Sequence, residues 1–85
     1  MKRLMFYQNK DKTLLFTDDV FCSNDFYTGN INLLLDRIEW IIYTSNKEIA
    51  YSGNASSVSV AKIEIKKKLL LLGAKFEREH RKYKI

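Results

Sequence analysis

The chain has 85 residues, no proline and one cysteine, and carries a formal net charge of +5. That length gives room for one domain, residues 1–85, around one core, and a core this small leaves stability marginal unless a partner or very good packing supplements it. Hydrophobic residues make up 46% and aromatics 13% of the chain, enough apolar surface to offset the entropy of ordering and so exclude a disordered chain. A lone Cys22 excludes an internal disulfide and a cysteine zinc cluster. The longest apolar run, Leu69–Leu72, is far too short to cross a bilayer, and Met1-Lys2-Arg3 leads into a segment too short and polar for a signal peptide. The expectation is a soluble, cytoplasmic protein with no membrane partner.

The charge is segregated along the chain. From Lys62 to Ile85 there are nine Lys/Arg against three Glu, whereas Met1 to Ala61 holds six Lys/Arg against seven Asp/Glu. Such asymmetry bears on anionic partners and on solubility rather than on fold.

In chain order, Arg3–Tyr7 and Thr13–Phe16 flank a polar cluster at residues 8–12 and predict an antiparallel hairpin. Residues 18–30 mix Asp, Ser, Asn and Gly with Phe21, Phe26 and Tyr27, which predicts an irregular loop anchored by its aromatic side chains, with room for a short strand near Val20–Cys22. Residues 31–42 fit helical spacing at Ile31, Leu34, Leu35, Ile38, Ile41 and Ile42, and strand alternation at Ile38, Trp40 and Ile42. The β-branched and aromatic residues favour a strand from about Arg37, with Ile31–Leu35 as a helical turn or strand entry. Trp40–Tyr43 and Ile49–Tyr51 then flank a turn at Thr44–Lys47.

After Gly53-Asn54, Ser56 and Ser57 offer hydroxyls that can accept from the first unpaired amides of a helix. Val58, Ala61, Ile65, Leu69 and Leu72 recur on one face of that helix as a stripe facing the core. Gly73 falls where a left-handed residue ends a helix, and residues 75–85 read as a charged edge strand. The fold class is α+β, a small antiparallel sheet with one main helix packed on a face, in the order β-β-β-β-α-β.

Catalytic and metal residues are not indicated, and no cofactor is implied: one His, one Cys and no phosphate-binding glycine loop make a thin inventory. Asp18, Asp19 and Asp25 share the turn-rich region, where acidic residues more often shape turns or face water than bind a cation. His80, set among Arg78, Arg81 and Lys82, reads as a surface side chain, and Cys22 as a small packed hydrophobe.

The candidate site is therefore a binding surface. Val60, Ile63, Leu70 and Leu71 fall off the core stripe with Lys67 among them, and a lone helix on an open sheet leaves them wet unless a protein partner or a second copy covers them. A second set, Lys62, Lys66, Arg78, Arg81, Lys82, Tyr83 and Lys84, has the composition of a patch that neutralises phosphates and stacks an aromatic on a base, the nucleic-acid-binding alternative.

The stretch Ile49-Ala50-Tyr51-Ser52-Gly53-Asn54-Ala55-Ser56-Ser57-Val58-Ser59-Val60-Ala61-Lys62 resembles the hairpin–helix junction of short phage-encoded accessory proteins, whose strand ends in Ser-Gly-x-Ala-Ser-Ser before a helix entered through Ala-Lys. That resemblance implies a non-enzymatic accessory or anti-defence role, an inhibitor that occupies a site on a host nucleoprotein machine. The same stretch is similar to the last strand and helix of the double-stranded-RNA-binding domain, where lysines opening the helix meet phosphates. Here Val58 and Ser59 stand where those lysines are expected, and only Ala61-Lys62 matches.

Overall fold

In a computed structural model, which describes residues 3–76, six strands precede one helix: β1 (Phe6–Gln8), β2 (Leu14–Thr17), β3 (Val20–Cys22), β4 (Asp25–Leu33), β5 (Ile38–Thr44), β6 (Ile49–Ala55) and α1 (Val58–Leu71). The strands form one antiparallel sheet in the order β1-β2-β4-β5-β6, with β3 also paired to β4. This is the α+β arrangement expected, with the helix laid on one face. The strand count differs from the sequence expectation because residues 18–30 are not an irregular loop. They form the β3–β4 hairpin, turned at Ser23-Asn24 with Ser23 at φ 55°. Ile31–Leu33 completes β4 rather than making a helical turn, and a turn closed by the Leu34 amide donating to the Arg37 carbonyl (3.0 Å) starts β5.

β4 is the organising strand. One of its edges pairs with β5 from Tyr27 to Leu33, while the other is shared, with Asp25–Tyr27 paired to β3 and Asn30–Asn32 paired to β2. The step between those partners falls at Thr17, which is buried. Its hydroxyl accepts from the Gly29 amide (2.9 Å) and donates to the Asp18 carbonyl (2.8 Å), and the Thr28 hydroxyl donates to the Thr17 carbonyl (3.0 Å). Backbone groups that the ladder would leave bare are thereby satisfied by side chains.

Strand alternation sorts the side chains into two faces. Under the helix lie Ile31 of β4, Trp40 and Ile42 of β5, and Cys22 of β3, packed against Ala61, Ile65 and Leu69. Each fully buried aliphatic side chain contributes roughly 1.5–3 kcal/mol relative to exposure. The stripe expected from spacing is thus the core contact, with Val58 and Leu72 half-buried at its ends.

Both helix ends are capped from the sequence. Ser57, extended at φ −155°, accepts from the Val60 amide through its hydroxyl (3.2 Å). At the other end Gly73 has φ 107°, its amide donating to the Leu70 carbonyl (3.0 Å) while the Ala74 amide donates to Leu69 (2.9 Å). That paired pattern is the Schellman closure, and Ala74 at its exit is buried against the same core as Leu69. Ala74 then makes a single antiparallel bridge with Cys22. Most of the edge strand expected over 75–85 lies outside the described residues.

Candidate functional surface

A 14-residue helix with a core stripe leaves the opposite side to solvent, and α1 carries aliphatic residues there as well. Val60, Ile63, Leu70 and Leu71 are 37%, 54%, 48% and 73% exposed, and at helical spacing they converge with Lys67 on one outward strip. The structure brings all five residues of that candidate set together, on the side of the helix away from the sheet.

The basic alternative is placed differently. The Lys62 ammonium sits 5.4 Å from the centroid of the Phe6 ring, and Lys66 sits 5.8 Å from that of Phe76. Lys68 is likewise 5.1 Å from the Tyr51 ring centre. Lys62 and Lys68 thus reach from the helix to rings of the sheet, in β1 and β6, and Lys66 to the ring of Phe76 beyond the helix end, with all three charges near aromatic faces. Lys67 has no such ring among the described residues and sits within the aliphatic strip. Arg78, Arg81, Lys82, Tyr83 and Lys84, with His80, lie outside the described residues.

The other face of the sheet is uncovered, and sequence reasoning missed its character. Cross-strand pairing aligns Tyr7, Phe16, Asn30, Ile41 and Ser52 in a single row over five strands. Tyr7 packs on Phe16 (ring centroids 5.8 Å) and Phe21 on Phe26 (5.1 Å), all four exposed by a third or more. Phe21 and Phe26 therefore do not anchor a loop to the core. They shield one another on the open face. The signal available was the polar alternation Thr28, Asn30, Asn32, which marks a strand with one wet side.

Where β1, β3 and the end of α1 meet, a cleft of about 860 Å³ is lined by Met5, Tyr7, Asp18, Phe21, Phe26 and Phe76, among others. It contains no nucleophile paired with a base. Cys22 lies beneath the sheet-helix layer, buried, with its thiol near the Leu69 carbonyl, and burial followed by the charge of Asp25 raises its pKa above the ordinary 9.0. A protonated, enclosed thiol is a poor nucleophile. Asp18 accepts from the Tyr7 hydroxyl (3.4 Å), and Asp25 accepts from Ser45 (2.8 Å) and from the Phe26 amide (2.7 Å). These carboxylates are used in turns and strand ends, and among the described residues no three metal-ligating groups cluster.

The fold and its surfaces define a small α+β domain with an open antiparallel sheet, one covering helix, and apolar residues on both outward sides. The chain matches no protein-family model, no characterised protein and no solved structure. Among the described residues no helix is long and apolar enough to cross a membrane.

Proposed function

We propose that this protein is a non-enzymatic docking domain that binds another polypeptide chain through the outer face of α1, formed by Val60, Ile63, Lys67, Leu70 and Leu71. One observation carries the reading: the helix is aliphatic on two opposite sides, and only one of them meets the sheet. Single exposed apolar residues are ordinary, but four converging on one strip of a short helix form a contiguous patch of the kind that marks an interaction surface. Leu71 and Ile63 are the most exposed of the four and have the most to gain from burial.

The role consistent with such a surface is occupancy rather than chemistry. The resemblance of residues 49–62 to short phage-encoded accessory proteins supports placing the domain among inhibitors that block a site on a host nucleoprotein machine. Direct nucleic-acid binding is the competing reading, and the commitment of Lys62 and Lys66 to aromatic rings weighs against it.

Replacing Ile63 and Leu70 together with Lys tests the docking reading. The expected result is an unchanged circular dichroism spectrum and urea midpoint, with loss of protein capture from native lysate treated with nuclease. Unfolding of the double variant would place both residues in the core and end the proposal. A parallel titration with short DNA and RNA separates the rival reading, since phosphate binding weakens steeply as salt rises whereas apolar docking responds far less.

A further inference from the structure

After the helix the chain runs into the wall of the cleft where β1, β3 and the end of α1 meet. The bridge of Ala74 with Cys22 is antiparallel, so the residues that follow run beside β3 in the direction of Asp19 and Asp18. Burial keeps step across that line. Ala74 and Cys22 are buried, Lys75 and Phe21 are exposed, and Phe76 and Val20 are half-buried against one core. This is strand alternation on both sides, and it delivers the chain to Phe76, which lines the cleft.

Between Thr17, which pairs with Phe6 of β1, and Cys22, which meets Ala74, the outer edge of this strand has no partner strand among the described residues. The cleft borders that stretch, and its lining carries two carboxylates, Asp18 and Asp19, and two cations, Arg3 and Lys75. Among the described residues none of the four is in an ion pair. Tyr7, Phe21 and Phe26 stand exposed around them. Nine residues follow Phe76, Glu77 to Ile85, with four Lys/Arg and two Glu. Three extended residues cover about 10 Å, the run from Val20 to Thr17, so this segment is long enough to fill the cleft.

We propose that the cleft is the docking site of the chain's own C-terminal segment, residues 77–85, which enters beside β3 and sets Arg78, Arg81 and Lys82 against Asp18 and Asp19. Glu77 and Glu79 find their counter-charges in Arg3 and Lys75 on the same walls. The long stems of the basic residues cover the rings that line the cleft, and their charges are held by carboxylate and ring together. This docking is independent of the α1 face. It bears on the basic patch instead: once docked, these three cations meet carboxylates, and a nucleic acid has to compete with the cleft for them.

Amide hydrogen exchange of the full chain, read by mass spectrometry on fragments ending at Ile85, is the test. In wild type the amides of residues 77–82 are expected to exchange about tenfold or more slowly than unprotected ones. Asp18→Lys/Asp19→Lys puts like charges against the segment and is expected to abolish that protection. Adding Arg78→Glu/Arg81→Glu/Lys82→Glu to it reverses both sides, and protection is expected to return to within about threefold of wild type. Urea melts followed by Trp40 emission check that each variant is folded. Where the lysine variant is unfolded, Asp18→Asn/Asp19→Asn carries the test, since an amide oxygen at position 18 still accepts from the Tyr7 hydroxyl. It is expected to lose at least about half of the protection in free-energy terms, roughly threefold in rate. Wild-type amides that exchange at the unprotected rate overturn the proposal. Protection that persists in the folded aspartate variants places the segment elsewhere on the molecule, and a combined variant that stays unprotected removes the charge pairing; either result overturns the assignment of this cleft.

Discussion

The indole of Trp40 packs directly over the backbone of Gly53, its cross-strand neighbour in β5 and β6, so closely that a Cβ on Gly53 would lie 2.8 Å from Cζ2 and 2.9 Å from Cε2 of the ring. The ring is thereby sandwiched between the edge strand and the helix, and the glycine is what leaves room for it. Gly53→Ala is expected to displace the indole at a cost of roughly 1–3 kcal/mol, the usual range for overfilling a packed core. Trp40 is the chain's sole tryptophan, so a shift in native-state emission together with a lowered urea midpoint checks this.

Gly73→Ala is expected to destabilise by more than the roughly 1 kcal/mol that a left-handed residue with a Cβ ordinarily costs. Besides its φ of 107°, the added methyl would fall on the Ser23 hydroxyl of the β3–β4 turn. The double variant Gly73→Ala/Ser23→Gly removes the collision and keeps the backbone strain. Because Ser23 is itself left-handed, with φ 55°, Ser23→Gly alone is the reference: Gly73→Ala is expected to cost less in the Ser23→Gly background than in wild type, and the difference in urea midpoints is the contribution of the collision.

Thr17→Val should cost about 1–3 kcal/mol despite its nearly equal size, because the Gly29 amide loses its buried acceptor. Thr17→Ser keeps the hydroxyl and should cost less. Hydrogen exchange at Gly29 is the local readout: fast exchange in the valine variant and protection in the serine one are expected.

Stability should fall in alkaline solution through Cys22. Its folded pKa is raised, so above the ordinary value of 9.0 the unfolded thiol ionises while the folded one holds its proton, and the unfolded state gains. The contribution is fully present below that value and is lost as pH rises through the folded pKa. Cys22→Ala removes this part of the dependence, measured as the difference between wild-type and variant urea midpoints from pH 7 to 10. In native protein near neutral pH, thiol reagents should react at the rate of unfolding.

What could be read in advance followed how many independent signals each element carried. The helix had period, a serine cap and a glycine stop, and all three agree with its observed ends at Ser57 and Gly73. Its outward strip was legible for the same reason, since helical period fixes both faces at once. β4 was missed because Gly29 interrupts the apolar series Tyr27, Ile31 and Leu33 on its covered side, which left the polar alternation Thr28, Asn30 and Asn32 as its one regular signal. The turn before it, Ser23-Asn24, has no glycine to announce a left-handed residue, and Ser23 adopts one under the constraint of the pairing on either side. The ring pairs of the open face needed the register of four strands, which no local pattern contains.

The Lys68 contact with Tyr51 has a consequence for solubility. Among the described residues β6 is an outermost strand, and from Ile49 to Ala55 it has neither a charged side chain nor a proline, a bare hydrogen-bonding edge open to strand addition by other chains. The register shift opposite Ile42 and Tyr43 distorts one end of it. Along the rest, the cation that discourages pairing is lent by the helix, whose Lys68 ammonium rests on the Tyr51 ring. A neutral residue at position 68 would leave the fold intact and turn this edge into a template for aggregation.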